Sequence, residues 1–320
     1  MGSGSGRSAA ARRWRALIGL GLPATLVGVG AAWALAHPAG PLVSSVVGSV
    51  STAIGVTVLG LAWLPITVGA QPRAVVRPIA IGAMAWAGAA FITSWLDVSQ
   101  RTGRSPIAVS VQDFLTVSAD GLPSLITTGC AVAAAAWACW ALAAGLASGR
   151  ELAIGPELAG ALAGAGIAIG PATGHLSQHP AGSVIVALHA LSAAWWCGSL
   201  AAIALVARGR RDWAAWLPAF SRHAPIAVAV LAVSGIIATA LELSSLAALV
   251  GTGYGRVIVA KTVGLLVLLA LAWWHRSRWT PLAAAHRVEE SVSLRHAVTE
   301  TCLMAIVLGF AAALATTSTQ

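Results

Sequence analysis

Long apolar runs that carry almost no charge follow one another along this chain and leave few folds open to it. A helix needs about 20 apolar residues to cross roughly 30 Å of hydrocarbon. About nine runs reach that length, at residues 14–36, 42–69, 74–98, 121–147, 153–173, 181–207, 224–248, 256–275 and 295–316. A transmembrane β-barrel would instead show alternating segments of ~10 residues. We therefore predict an all-α fold, a polytopic transmembrane helix bundle of about nine spans.

The low charge content excludes most other classes of protein. Charged residues make up 9% of the 320 residues, whereas a soluble protein carries roughly a quarter. The mean hydropathy of +0.83 agrees, so a soluble enzyme, a disordered chain and a secreted disulfide scaffold are excluded. The net charge of +9 does not indicate a nucleic-acid partner, because the basic residues lie in short clusters between the apolar runs. The partner indicated by the composition is the lipid bilayer.

The positions of Lys and Arg predict the orientation, because cytoplasmic loops are enriched in both. Three of the 19 basic residues, Arg101, Arg104 and Arg256, would lie outside if the amino terminus is cytoplasmic, and Lys261 would lie within a span. The other fifteen would lie inside: Arg7, Arg12, Arg13, Arg15, Arg73, Arg77, Arg150, Arg208, Arg210, Arg211, Arg222, Arg276, Arg278, Arg287 and Arg295. We predict a cytoplasmic amino terminus and an outer carboxyl terminus.

The runs divide the chain into a basic amino terminus (1–13), amino-terminal helices with about five spans (14–175), a second helical part with about four spans (176–316) and a tail (317–320). The first run resembles a signal peptide ending in Ala34-Leu35-Ala36, but its ~20 residues exceed the usual 7–15 and favour an uncleaved helix. Longer connections are expected at 99–120, 208–223 and 276–294, with an amphipathic interfacial element within 105–120.

Three histidines descend from the outer side in the predicted topology. His175 and His179 are four residues apart beyond the fifth run, and a helix there would place both on one face, as in a metal pair. His189 lies roughly 12 Å into the sixth run. Imidazole suits copper, so the three rings could pass a soft cation inward. The alternatives are solvated loop histidines for the first two and a hydrogen-bonded buried ring for His189.

Other polar residues within the runs are candidates for a pathway. Cys130 shares the depth of His189, and Cys197 lies about 12 Å deeper on the same helical face; a thiolate suits copper(I), although small buried cysteines are commonly packing residues. Glu242 and Lys261 lie at similar depth on consecutive antiparallel spans, which predicts a structural or gating ion pair. Glu300 lies in the inner third of the ninth run.

A second histidine group, His223, His275 and His296, lies at the cytoplasmic boundary of three spans. These residues are either interfacial side chains or an inner metal site that matches the outer one. Tryptophans also lie near the span ends, and we interpret them as an interfacial aromatic belt: Trp14, Trp33, Trp95, Trp213, Trp216, Trp274 and Trp279.

Several motifs resemble the copper resistance protein D family of bacterial membrane proteins. The most specific is Gly251-Thr252-Gly253-Tyr254-Gly255-Arg256, followed by Lys261. Further matches, strong over about 181–316, are His189 seven residues before Trp196-Cys197-Gly198, then Phe220-Ser221-Arg222, Ser234-Gly235, Arg295 and Glu300. Over 14–175 the resemblance is weaker and rests on Trp95-Leu-Asp97-Val and Gly174-His175. His223 and His275 depart from the residues usual in the family.

The resemblance implies copper handling across the bacterial cytoplasmic membrane, with uptake the expected direction and copper the expected ion. The chain has no GxxxxGK[ST] loop, so transport would be independent of ATP. The resemblance is to actinobacterial members, here without the fused cytochrome c oxidase assembly-factor domain that such members often carry. Expected partners are a periplasmic or extracellular copper-binding protein or an oxidase assembly factor. The alternatives to a transporter are a b-type haem oxidoreductase and a non-transporting partner that delivers copper to the terminal oxidase.

Overall fold

The computed structural model describes residues 3–38, 40–120, 122–145, 154–242 and 247–317, with side chains except those of 3–18, 118–120, 122, 175 and 248. All regular secondary structure within these residues is helical. The α-helices are α1 (Ser3–Ala36), α2 (Ser44–Val68), α3 (Pro72–Thr102), α4 (Val111–Asp120), α5 (Leu122–Ala143), α6 (Glu157–Ala172), α7 (Gly182–Val206), α8 (Gly209–Glu242), α9 (Ala248–Gly251), α10 (Gly253–Trp274), α11 (Thr280–Ala284) and α12 (Glu290–Leu314). A 3₁₀ turn, His175–Gln178, precedes α7, and a π-helical turn, His275–Trp279, joins α10 to α11.

Within the described residues, eight helices are long and apolar enough to cross a membrane: α1, α2, α3, α5, α7, α8, α10 and α12. The apolar helix α6 has 16 residues, which is about 24 Å at the helical rise. It runs antiparallel to α2, because a Cβ on Gly160 would contact Trp63 and one on Gly164 would lie near Leu59. The predicted polytopic helix bundle is confirmed, and α6 occupies the place of the predicted fifth span.

The helix ends collect at two opposite sides of the bundle. At one side, the Arg256 Nε donates to the Leu35 carbonyl at 2.8 Å, and the Leu42 amide donates to the Thr316 hydroxyl at 3.2 Å. At the other side, the Gly209 amide donates to the Glu290 carboxylate at 2.9 Å. We call these sides the Arg256 end and the Glu290 end. The predicted orientation would place the Arg256 end outside, and this orientation stays a prediction.

Helix α7 lies at the centre of the bundle, and its packing against α2 depends on glycine. A Cβ on Gly60 would meet the backbone of Gly198, and a Cβ on Gly198 would meet the Val56 carbonyl, so neither position has room for a side chain. Small residues permit this close backbone approach between membrane helices. Because α7 approaches α2 so closely, most of its residues from Ala194 to Val206 are buried, and many of their side chains belong to the main hydrophobic core.

Helix α8 begins earlier than the sequence predicted, because the expected connection 208–223 is mostly helical. Trp213, Leu217 and Phe220 are buried, and their spacing of four and three residues forms one apolar helix face. The Asp212 carboxylate accepts a hydrogen bond from the Arg208 amide at 2.7 Å, which supports the helix start. The second expected connection, 276–294, likewise contains most of the π-turn and all of α11.

The interfacial element predicted within 105–120 contains α4. Its Phe114 packs on Trp95, with ring centroids 5.3 Å apart, and Asp113 accepts hydrogen bonds from the Ser110 amide at 2.9 Å and from Arg104 at 2.6 Å. The Ser110 amide and hydroxyl, together with Arg104, hold the pKa of Asp113 below its ordinary value. This polar cap fixes the loop before α4 at the Arg256 end of α3.

Candidate functional site

His189 lies in α7 and is held by α8. Its Nδ1 atom is 3.1 Å from the Leu231 carbonyl oxygen and 3.2 Å from the Ser234 hydroxyl. Because a carbonyl oxygen only accepts, Nδ1 carries the ring proton and Nε2 keeps its lone pair. Gly235 leaves the room for this ring, since a Cβ there would lie 3.0 Å from the His189 Cε1 atom.

The Nε2 atom of His189 faces Lys261 of α10, with Nζ 3.4 Å away. The ion pair predicted between Lys261 and Glu242 is not formed: among the described residues, salt bridges join Arg104 to Asp113, Arg210 to Glu289 and His275 to Glu300. Glu242 instead interacts electrostatically with Tyr254. Tyr254 precedes Lys261 by seven residues, about 10 Å along α10. The sequence predicted similar depths for Glu242 and Lys261, whereas the packing of α8 and α10 separates these two charges.

The outer pair of histidines does not form the helical arrangement that the sequence predicted. The 3₁₀ turn spans His175–Gln178, and His179 follows it in extended conformation and is exposed. The helix thus ends before the second histidine, so the i,i+4 spacing no longer places both on one face. The side chain of His175 lies outside the described residues. The assignment of His175 and His179 as metal ligands stays a prediction, but the shared helix face that motivated it is not formed.

The two candidate cysteines lie in different parts of the bundle. Cys130 packs beside α6, where a Cβ on Gly166 would lie 3.2 Å from its Cβ and 2.9 Å from Trp86. Cys197 is buried in α7 and close enough to Glu300 to interact with it electrostatically. Cys197 therefore belongs with the carboxylate near the Glu290 end, whereas Cys130 packs as a small apolar side chain.

The most specific arrangement of ionisable groups is a buried histidine–carboxylate pair. His275, in the π-turn, is 5% exposed, and Glu300, in α12, is 3% exposed. The His275 Nδ1 donates to Glu300 Oε2 at 2.6 Å, the short distance expected of a charge-assisted hydrogen bond. Among the described residues, the hydrogen bond of the His275 ring is the one from Nδ1, and none is found at Nε2. A carboxylate on one ring nitrogen fixes the orientation of the ring, as it does behind metal-binding histidines.

Aromatic rings surround this pair. The His296 ring lies nearly parallel to that of His275, at 7° with centroids 5.1 Å apart, and Trp279 meets both rings edge-on at 5.1 and 5.3 Å. The Trp279 Nε1 donates to Ser293 at 3.2 Å. Trp279 and Trp213 are buried, so neither faces the lipid as the predicted interfacial belt would require. Trp279 of the π-turn covers the histidines, and Trp213 of α8 packs on Trp279 with ring centroids 5.9 Å apart.

Of the predicted inner group, the structure brings together His275 and His296 but not His223. His223 is exposed, and its Nδ1 is 3.0 Å from the Ala219 carbonyl of its own helix. Its ring meets Trp195 of α7 edge-on, with centroids 6.5 Å apart, whereas the ring contacts of His275 and His296 are with each other and with Trp274 and Trp279. The sequence also gave no link between Glu300 and this group, since Glu300 is 25 residues from His275. The two residues meet because α12 crosses beside the π-turn.

A cavity of about 170 Å³ lies beside the pair, between α7, α8, α10 and the π-turn. Its wall is mostly apolar and aromatic, and it includes Trp196, Phe220, Leu269, His275, Trp279 and Glu300. The His189 cluster lies near the cavity along α8, because Leu231, whose carbonyl contacts His189, is three residues from Val228, which lines the cavity. Of the two histidines, His275 is the one found among the residues that line the cavity.

No three His, Cys, Asp or Glu side chains in the described parts of the chain are close enough to hold a metal ion together. The arrangement instead offers single imidazoles with a neighbouring charge. It also does not fit a bis-histidine haem, because such a haem needs one imidazole on each side of its plane. His275 and His296 face each other directly at 5.1 Å, with no space for a macrocycle between them.

These observations define a multi-pass helical membrane protein whose buried His275–Glu300 pair lies beside a cavity between helices. Residues 214–314 match the family model of copper resistance protein D. The matched stretch is just under a third of the chain and contains Lys261, His275, His296 and Glu300. No curated protein and no solved structure matches the chain. The match supports the family resemblance and agrees with the predicted place in the bacterial cytoplasmic membrane; the actinobacterial type stays a prediction.

Proposed function

We propose that this protein handles copper at the membrane by moving copper ions through the cleft between α7, α8, α10 and α12, without ATP. The observation that carries the proposal is the His275–Glu300 pair. It presents a carboxylate-oriented imidazole, with Nε2 unbonded, beside a cavity in the stretch that matches copper resistance protein D. Imidazole is a common copper ligand, and the carboxylate behind it favours a bound cation.

The proposed path has two positions at which copper would bind. Copper meets His189 in the half of the bundle towards the Arg256 end, and then His275 near the Glu290 end, with Cys197 lying in α7 between them. In the predicted orientation this direction is inward. A cation that enters a negative-inside cell gains about 2.3 kcal/mol per charge per 100 mV, which is sufficient to drive uptake. The proposal is therefore for a transporter and not for an enzyme.

The test is copper flux into proteoliposomes, with two histidine variants that differ in their surroundings. His275→Ala is expected to lower copper(I) flux at least tenfold, because the cavity loses its only imidazole. His223→Ala is the matched control, since this histidine is exposed near the same end and bonds only to its own helix. Flux should stay at the wild-type rate in the control. Equal flux in both variants would remove His275 from the path.

Two further readouts separate this proposal from its alternatives. Wild-type protein that is folded but moves no copper, and that co-purifies with terminal oxidase subunits, would favour the non-transporting assembly partner. A Soret band in the visible spectrum of the purified protein would favour the haem oxidoreductase.

A further inference from the structure

Lys261 is the only lysine of the chain, and its ammonium group lies against the one ring nitrogen of His189 that can bind a metal. Nζ is 3.4 Å from Nε2, while the Nδ1 proton is shared by the Leu231 carbonyl and the Ser234 oxygen. The Ser234 hydroxyl donates its own proton to the Val230 carbonyl at 2.5 Å, so its lone pair is free to accept. The ammonium group therefore donates to the lone pair of Nε2, and a cation can bind His189 only by displacing it.

No carboxylate among the described residues neutralises this ammonium group, since the three salt bridges all lie elsewhere. The next charge along α8, Glu242, is eight residues beyond Ser234, about 12 Å along the helix. On α10, Arg256 is turned to the carbonyls of Leu35 and His37 at the Arg256 end. On α12, Glu300 is paired with His275. A cation at His189 therefore meets one uncompensated positive charge at close range.

We propose that Lys261 makes the His189 site selective for singly charged soft cations. The inference rests on the proposed function, because it takes His189 as the first copper ligand of the path. Repulsion between two charges is proportional to their product, so a divalent ion at Nε2 meets twice the repulsion that a monovalent ion meets. Copper(I) and silver(I) bind with the ammonium group turned aside, whereas copper(II) and zinc(II) are rejected. A repulsive element of this kind is a general route to specificity.

His275, the second histidine of the proposed path, has a negative charge beside it. The Nδ1 of His275 is bonded to a carboxylate, which attracts a cation at Nε2 rather than repelling it. The two imidazoles of the cleft therefore differ in role: the first selects by charge and holds weakly, and the second holds more tightly. This order carries a selected ion from the Arg256 end towards the Glu290 end.

The test compares silver(I) and zinc(II) binding to the purified full-length protein in detergent, by isothermal titration calorimetry at one fixed pH near neutrality. Silver(I) replaces copper(I) because it does not change oxidation state under these conditions. The contribution of His189 is the binding that is lost in His189→Ala. In the wild type this contribution should be at least a hundredfold tighter for silver(I) than for zinc(II).

Two substitutions at Lys261 separate charge from shape. Lys261→Met removes the charge and keeps a long unbranched side chain. The ratio of silver(I) affinity to zinc(II) affinity at His189 should therefore fall at least tenfold in this variant. Lys261→Arg keeps the charge and should retain the wild-type preference. Both variants need a melting profile and a size-exclusion peak like those of the wild type.

The proposal is overturned if the binding that is lost in a folded His189→Ala variant is equal for both ions, or if no binding is lost for either ion. It is also overturned if Lys261→Met leaves the preference unchanged. Because these measurements use binding in detergent, they are separate from copper flux. A wild type that selects silver(I) at His189 but moves no copper in liposomes would contradict the proposed function and leave the selective site standing.

Discussion

At the scale of single residues, the two histidines of the cleft have the same side chain and opposite neighbours. His189 donates its Nδ1 proton to a backbone carbonyl and meets a lysine at Nε2. His275 donates its Nδ1 proton to a buried carboxylate and lines a cavity. The neighbouring group decides whether an imidazole attracts or repels a cation, because the ring itself is neutral in both cases when its second nitrogen is unprotonated.

Glu300→Gln tests the role of the carboxylate behind His275. The amide oxygen can still accept the Nδ1 hydrogen bond, so the protein should fold, but the ring loses the negative charge that favours a bound cation. Copper(I) flux in proteoliposomes should fall by roughly 10–100-fold, the usual cost of altering a residue that orients a metal ligand.

The control for this substitution is Glu289→Gln. Glu289 is exposed and lies 3.8 Å from Arg210, an arrangement worth less than about 1 kcal/mol, so flux should not change. If Glu300→Gln transports as fast as the wild type while His275→Ala does not, the carboxylate serves only to hold the turn in place.

At the scale of helices, the site depends on one irregular turn and on one close helix contact. The π-helical turn His275–Trp279 replaces a loop that the sequence predicted, and it turns His275 and Trp279 inward against α12. Single π-turns within helices often occur at functional sites. The position of α7 in the cleft is fixed from the other side by the contact between Gly198 and α2.

Gly198→Ala should destabilise the bundle, because the added Cβ would meet the Val56 carbonyl and push α7 away from α2. Overpacking of this kind costs about 1–3 kcal/mol, and it should appear as a lower melting temperature in detergent. Gly88→Ala in α3 is the control, since nothing lies within 4 Å of its Cβ position. The control should match or exceed the wild type, because alanine favours a helix by up to ~1 kcal/mol over glycine. If the two variants had the same melting temperature, the α2–α7 contact would accommodate the added Cβ with no loss of stability, contrary to this prediction.

At the scale of the whole molecule, the bundle has two ends with very different charge. Basic residues gather at the Glu290 end, where α8 and α12 begin, while Arg256, Arg101 and Arg104 lie at the other end. Because basic loops stay in the cytoplasm, this distribution predicts that the Glu290 end faces inward. The path from His189 to His275 would then lead into the cell.

Single cysteines introduced at the two ends test this orientation, in a variant whose four native cysteines are replaced by alanine. Ile107→Cys lies at the Arg256 end, at a side chain that is 99% exposed, and should react with a membrane-impermeant maleimide on intact cells. Glu289→Cys lies at the opposite end and should react only after permeabilisation. The reverse result would invert the topology and make the same path an export route.

The sequence by itself determined the class of fold and the chemistry available to it. Runs of about 20 apolar residues can satisfy their backbone hydrogen bonds in lipid only as helices, and an ionisable residue inside such a run needs a partner or a cavity, which singled out His189, Lys261 and Glu300. The tertiary structure decided which partner each one has. His275 is 25 residues from Glu300 and His189 is 72 from Lys261, and no local periodicity links residues so far apart. Those pairings exist because α7, α8, α10 and α12 pack at particular depths and rotations, which depend on close contacts such as Gly198 with Val56 and on one π-turn.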